Sequence, residues 1–301
     1  MTAKLTLGPV LFHWPAETLR DFYFRMADEA PVDSVCLGEV VCAKRMPFFA
    51  PQVPAIVERL KRAGKEVIHS SLALVMNERE RRATRELAAA EGFFVEANDM
   101  AAAALLAGRP HAIGPYVNVY NEGTLDVLAR RGAVRVCLPV ELPAPSLAAL
   151  AGVPGVELEV QVFGRLPLAL SARCYHARSH GRHKDSCQYV CGEDPDGMVV
   201  ETIDGQPFLA VNGIQCLSYT FGNLIGELAA LSAMGIGRFR LSPHDTDMVA
   251  VARRFRDVID GRAEAGAALE NLAALVPQAS FSNGFYHGTE GAAAAGLLAQ
   301  A

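Results

Sequence analysis

Short apolar runs alternate with longer stretches of helical periodicity along most of the chain, and that alternation is the pattern of parallel strands joined by crossover helices. Strands are expected at 5–12, 34–39, 66–72, 93–96, 112–119, 134–139, 156–163 and 238–242. Helices fill the intervals. Ala16–Glu29 places Leu19, Phe22 and Met26 on one face, 53–63 follows the second strand, and 223–233 and 246–259 flank the last one. Eight such strands in 301 residues fit an α/β chain folded as a single (β/α)8 TIM-like barrel, closed or incomplete, over 1–301. An open doubly wound sheet produces the same alternation and stands as the alternative.

Two stretches depart from the repeat. Residues 171–222, between the seventh and eighth strands, form an insertion with a β-hairpin of 198–203 and 208–211 turned at Asp204-Gly205. Residues 262–301 are rich in alanine and glycine and read as an irregular tail, with 280–291 a loop.

The chain is 51% hydrophobic and 20% charged with a net charge of -5, which suits a globular protein and speaks against nucleic-acid binding driven by overall charge. Pro9, His13 and Pro15 interrupt the N-terminal apolar run, so no secretory signal is expected. No apolar run approaches the length of a bilayer span, and stretches such as 100–107 read as buried helix. The expectation is a soluble, cytoplasmic protein.

In a reducing compartment clustered thiols point to metal ligation rather than disulfides. Three of the seven cysteines, Cys174, Cys187 and Cys191, fall within eighteen residues as C-x12-C-x3-C, inside the insertion. Cys36, Cys137 and Cys216 lie in apolar runs and read as small buried hydrophobes. Cys42 differs, because it follows the second strand in LGEVVCAKR, at the strand end where such folds carry their chemistry. Cys42, Cys174, Cys187 and Cys191 together would complete an all-thiolate site for zinc or for a 4Fe-4S cluster, or the segment is simply a solvated basic loop.

The paired C-x2-4-C spacing of structural zinc sites is missing. Arg173, Arg178, Arg182, Lys184, His176, His180 and His183 surround the cysteines and would offset the negative charge of a cluster. Two unit charges about 6 Å apart interact by about 3 kcal/mol at an effective dielectric of about 20, enough to influence cluster retention. The three histidines are expected to face solvent or substrate, since four thiols already saturate the site.

The run EVQVFGRLPLALSARC, from Glu159 to Cys174, followed by Cys187 and Cys191, resembles the signature of the U32 peptidase-like family. LGPVLFHWP, LGEVVCAKR, LPVEL, VNGIQ and RLSPHDTD follow the same order, through about residue 260, as in the members that serve ubiquinone biosynthesis in anaerobic bacteria. The resemblance implies a 4Fe-4S cluster on Cys42, Cys174, Cys187 and Cys191. It also implies a heterodimer with a UbiU-like sister U32 protein and oxygen-independent hydroxylation of ubiquinone precursors, with prephenate as oxygen donor. Alternatives are a noncatalytic, cluster-stabilised partner subunit, or a U32-type RNA hydroxylase or peptidase. Neither G-x-S-x-G nor H-E-x-x-H occurs to support proteolysis.

No catalytic residue is assigned. His13, Asn118, Tyr120, Gln215, His244 and Arg173 are candidates for a pocket lining. Asn118 and Asn121 are also candidate caps of the helix starting at Glu122, and His244 with Asp245 a candidate helix start. Glu39 and Glu141, at strand ends, read as acid/base groups or as partners of arginines.

Overall fold

The computed structural model describes residues 3–277 and 280–300. Seven strands pair in parallel in chain order: β1 (Lys4–Leu7), β2 (Ser34–Leu37), β3 (Glu66–Ser70), β4 (Phe94–Ala97), β5 (His111–Ile113), β6 (Ala133–Cys137) and β7 (Glu157–Leu170). Further strands follow as β8 (Met198–Glu201), β9 (Pro207–Asn212), β10 (Gln215–Asn223), β11 (Arg238–Leu241) and β12 (Phe281–Ser282). Strand β11 lies between β7 and β1, parallel to both, with Arg238 opposite Glu159 on one side and Lys4 on the other. The ring is therefore a closed eight-stranded parallel barrel, as the alternation suggests, and the open sheet is excluded.

Helices α1 (Ala16–Glu29), α2 (Met46–Phe49), α3 (Val53–Arg62), α4 (Glu78–Ala89), α5 (Met100–Leu105), α6 (Glu122–Arg130) and α7 (Ala144–Ala151) surround the first part of the barrel. Helices α8 (Tyr175–Ser179), α9 (Leu228–Ala233), α10 (Met248–Ile259) and α11 (Ala265–Leu275) complete the set. Helix α1 turns Leu19, Tyr23 and Met26 inward. Several helices start on side-chain caps: Asn77 accepts from Glu80 N–H, Asp99 from Ala101, Asn121 from Thr124 and Asp247 from Ala250. Each such cap contributes about 1 kcal/mol.

Strand β7 runs on to Leu170, seven residues past its expected end at 163. Its first half belongs to the barrel, and from Phe163 onward it pairs antiparallel with β10, which continues through β9 to the edge strand β8. Gly164 sits at the switch with φ of +106°, and a Cβ there would lie 2.7 Å from that of Ser242, so only glycine lets the strand leave the ring against the β11 end.

The structure corrects two readings. Residue 223 does not begin a helix: it ends β10, its side chain accepts the N–H of Ile225 at 3.1 Å, and the helix starts at Leu228. The 262–301 tail is not irregular throughout, because Ala265–Leu275 is helical and buries Ala268, Leu269 and Leu272 against α10, while β12 pairs with β10. The hairpin at 198–211 is present as β8 and β9.

Polar side chains fill much of the barrel interior. Arg240 on β11 reaches across the ring to Glu96 on β4 and binds Glu159 on β7, with Nε to Oε2 at 2.9 Å. Ser70 and Asn98 each donate to Glu96 at 3.1 Å. A second layer joins Arg135 to Glu66 and Glu157 at 2.9 and 2.7 Å, and Arg238 to Glu157 at 3.1 Å. Pairs between strands that are not neighbours can meet only through the interior. Barrels of this type usually hold branched apolar residues there.

Candidate functional site: four thiols at the strand ends

The loop after β2 is shaped by Glu39, whose carboxylate accepts the N–H groups of Val41 and Cys42, both at 2.8 Å. Cys42 then opens a single 3-10 turn, Ala43–Arg45. The Arg45 side chain is only 3% exposed; it donates to the Leu11 carbonyl at 3.1 Å and to Asn212 Oδ1 at 2.6 Å, and lies 4.0 Å from Glu39. Gly213 makes room for it, since with φ of +68° any Cβ there would stand 2.5 Å from Arg45 Nη2.

Cys174 caps α8, its Sγ accepting the Ala177 N–H at 3.4 Å and donating to the Gly213 carbonyl at 3.2 Å. Cys187 and Cys191 bracket two consecutive left-handed residues, Gln188 at φ 48° and Tyr189 at φ 55°. That conformation costs about 1–2 kcal/mol per non-glycine residue and needs outside support. The Tyr189 ring provides it by packing on Phe48 and His13, with centroids 4.7 and 5.7 Å away. The kink turns both flanking thiols to the same side. Asn212 Nδ2 holds the Cys191 carbonyl at 3.0 Å, Arg182 the Cys187 carbonyl at 3.3 Å, and Lys44 the Lys184 carbonyl at 2.6 Å, tying the insertion to the β2 loop.

Cys42, Cys174, Cys187 and Cys191 line one small cavity with Lys44, Arg45, Lys184, Tyr189, Val190 and Gly213. Burial pushes the thiols of Cys42, Cys174 and Cys191 up, and the Arg45 charge pulls each of them back. They are thus neutral thiols by themselves, and a bound cation must drive their deprotonation. Four thiols facing one cavity are a donor set that either a single tetrahedral ion or an iron-sulfur cluster takes.

The other sequence candidates divide. His13 packs beside the thiol cavity on Tyr189 and Phe48, and burial followed by the Arg45 charge pushes its pKa down to about 4. Asn118, left-handed at φ 60°, and Tyr120 line a separate cavity of about 300 Å³ at the strand ends with Tyr116 and Glu141. Tyr120 donates to Glu141; burial and then this bond raise its pKa to about 12. Asn121 is the helix cap, and Asn118 is not. Gln215 is buried and donates to the Leu11 carbonyl at 2.8 Å, and Arg173 is exposed. His244 is buried with both ring nitrogens engaged: Nε2 accepts the Arg165 N–H at 2.9 Å and Nδ1 donates to Asp196 at 2.5 Å. It locks the insertion to the end of β11 and does not open α10, which Asp247 caps.

Cys36 and Cys137 are buried in the barrel, as expected, and Cys216 is half-buried. His180 and His183 are exposed, but His176 is completely buried, against expectation. Sequence reasoning missed Arg45 and Asn212 as the hub of the site. Their only signal is position: Arg45 stands three residues after Cys42, and Asn212 precedes a glycine in VNGIQ.

Fold and site together define a (β/α)8-barrel protein with four convergent cysteines at the strand ends. A model of peptidase family U32 matches residues 18–295, and the chain belongs to that family. Among the described residues no helix is long and apolar enough to cross a membrane.

Proposed function

We propose that this chain is a UbiV-type protein, the iron-sulfur subunit of an oxygen-independent hydroxylase acting on ubiquinone precursors, working as a heterodimer with a UbiU-like U32 protein. In this reading Cys42, Cys174, Cys187 and Cys191 hold a 4Fe-4S cluster. The observation that carries it is the meeting of four cysteines from three separate segments in one cavity, beside Lys44, Arg45 and Lys184. When bound, such a cluster supplies one-electron chemistry.

The chain's own residues supply the rest. Arg45, Lys44 and Lys184 offset the negative charge of four thiolates, and Tyr189, Phe48 and His13 pack one side of the site. An apolar cavity of about 220 Å³ borders the β2 loop, lined by Leu37, Met46, Phe49, Leu72, Leu87 and Phe93, and its chemistry suits an aromatic ring with a prenyl tail. The polar cavity with Tyr116, Asn118 and Tyr120 also holds Glu141 and, among the described residues, no cation, so it offers hydrogen bonds to uncharged oxygen groups, and an anionic donor such as prephenate would sit nearer Lys44, Arg45 and Lys184. For the partner, β8 is an edge strand and its hairpin exposes Val199, Ile203 and Phe208, a combination that favours covering by another chain.

The test is anaerobic reconstitution with the UbiU-like protein, prephenate and a demethoxylated quinone precursor, with and without this chain. Hydroxylation that requires this chain supports the proposal. Full-rate hydroxylation by the sister protein alone would reduce this chain to a noncatalytic subunit, and no hydroxylation by the pair would reject the reaction.

A further inference from the structure

Beside the thiol cavity, and sharing no side chain with it, three further ligating groups converge. The donor atoms of His176, His180 and Asp194 all lie within 4.8 Å of one another. His176 is fully buried. Its Nδ1 faces the Val211 carbonyl at 3.1 Å, and since a carbonyl can only accept, Nδ1 carries the hydrogen. In the neutral ring the lone pair is then on Nε2, which lies 3.0 Å from Asp194 Oδ2 and has no hydrogen-bond partner. Two acceptors, a buried nitrogen lone pair and a carboxylate oxygen, thus point at each other. A cation between them resolves the conflict.

The surroundings are those of a metal ligand. A histidine whose second nitrogen donates to a backbone carbonyl has its tautomer and ring orientation fixed for metal binding. His180 stands four residues on, with its ring parallel to that of His176 within 4° and centroids 5.4 Å apart. Ligands about 2.0–2.1 Å from a zinc-class ion are separated from each other by about 2.9–3.4 Å, depending on whether the geometry is octahedral or tetrahedral. The observed 3.0 Å falls in that range.

We propose that His176, His180 and Asp194 form a second metal site, separate from the four cysteines, that takes a first-row divalent ion of the zinc class. Two imidazoles with one carboxylate suit such ions, whereas calcium and magnesium take oxygen ligands. Three protein ligands leave a coordination position free, and His180 is on the exposed side, where water reaches the ion.

The site joins two pieces of chain that carry thiols. His176 and His180 belong to α8 and its end, whose cap is Cys174, and Asp194 lies three residues after Cys191. The Asp194 carbonyl accepts from Asn212 Nδ2 at 2.9 Å, the same amide that holds the Cys191 carbonyl. An ion here staples α8 to the turn after Cys191.

The proposal is tested on the full chain purified without oxygen, given one equivalent of zinc and then gel-filtered. Zinc and iron are measured in the same sample, and the zinc environment is read by X-ray absorption. His180→Ala and Asp194→Asn are the variants of choice, since neither side chain is buried in the core. The expected result is one zinc per chain with nitrogen and oxygen neighbours only. In both variants zinc affinity falls about tenfold or more with iron unchanged. Failure of the unmodified chain to retain zinc would overturn the proposal, as would undiminished retention in both variants. Sulfur neighbours at about 2.3 Å would place the zinc on the cysteines instead, and equal loss of iron and zinc in the variants would remove the separate site.

Discussion

The barrel interior and the cavity at its rim are both built from thiols around a buried arginine, yet the charges that face those thiols differ. Inside, Cys36 and Cys137 sit on regular strands near Arg240, whose charge is taken up by Glu96 and Glu159. Burial, and then the Glu96 carboxylate, hold the Cys36 thiol well above its ordinary range; Cys137 is raised too, chiefly by burial. At the rim, four cysteines lie on irregular segments, Lys44 and Lys184 stand close by, and Arg45 has a single carboxylate at 4.0 Å. The two regions differ in their charged neighbours: carboxylates beside a thiol keep its proton on, while cations in excess favour the thiolate, as the proposed cluster site requires.

The largest effect that sharpens this contrast is expected inside the barrel. Arg240→Met leaves Glu96 and Glu159 buried without their cation and is expected to cost about 3–5 kcal/mol in urea unfolding. Iron per folded chain should stay unchanged. A variant that stays as stable but loses its iron would show that the two regions are one functional unit.

At the rim, Gly213→Ala forces a side chain into a left-handed position and onto Arg45. A loss of about 1–3 kcal/mol is expected, together with faster bleaching of the proposed cluster in air, because Arg45 must move from Asn212 and the thiols. Unaltered bleaching would argue that Arg45 is dispensable for retention.

How much of this was legible in the sequence follows from what each feature depends on. The strands of the ring announce themselves through local apolar runs, but their closure rests on β11 pairing with β7, a contact between segments some eighty residues apart. Strand β10 was hidden because Gly222 and Asn223 look like the approach to a helix, and α11 because its alanines and Gly266 carry little amphipathic pattern. The four cysteines were readable as a set, since a reduced chain seldom clusters thiols without purpose. The interior charges were not, because polar residues on a strand normally face water, and only pairing across the ring reveals Arg240 and Glu96 as core. His176 escaped for the same reason: its burial depends on β9.

A further predicted effect concerns pH, on the outer face of β3. His69 stacks on Phe93 with centroids 3.8 Å apart, and burial, helped by the Lys61 charge, pushes its pKa down from 6.5 to about 4. The unfolded chain binds this proton near the ordinary value and the folded chain only near pH 4, so the contribution is complete above about pH 6.5 and is lost as pH falls toward 4. About 2 kcal/mol of the acid-side loss should disappear in His69→Gln, measured as the difference in urea midpoint between neutral and acidic buffer. An unchanged slope would assign the acid sensitivity to the rim instead.

The central claim is that the upstream thiol of Cys42 joins the three cysteines of the insertion around one iron-sulfur cluster. It is tested most directly by the iron and acid-labile sulfide content of Cys42→Ala beside Cys36→Ala, both purified without oxygen. Cys42→Ala should lose most of its iron and its visible absorption while Cys36→Ala keeps both; full iron in Cys42→Ala, or a colourless, iron-free unmodified chain, would rule the shared cluster out.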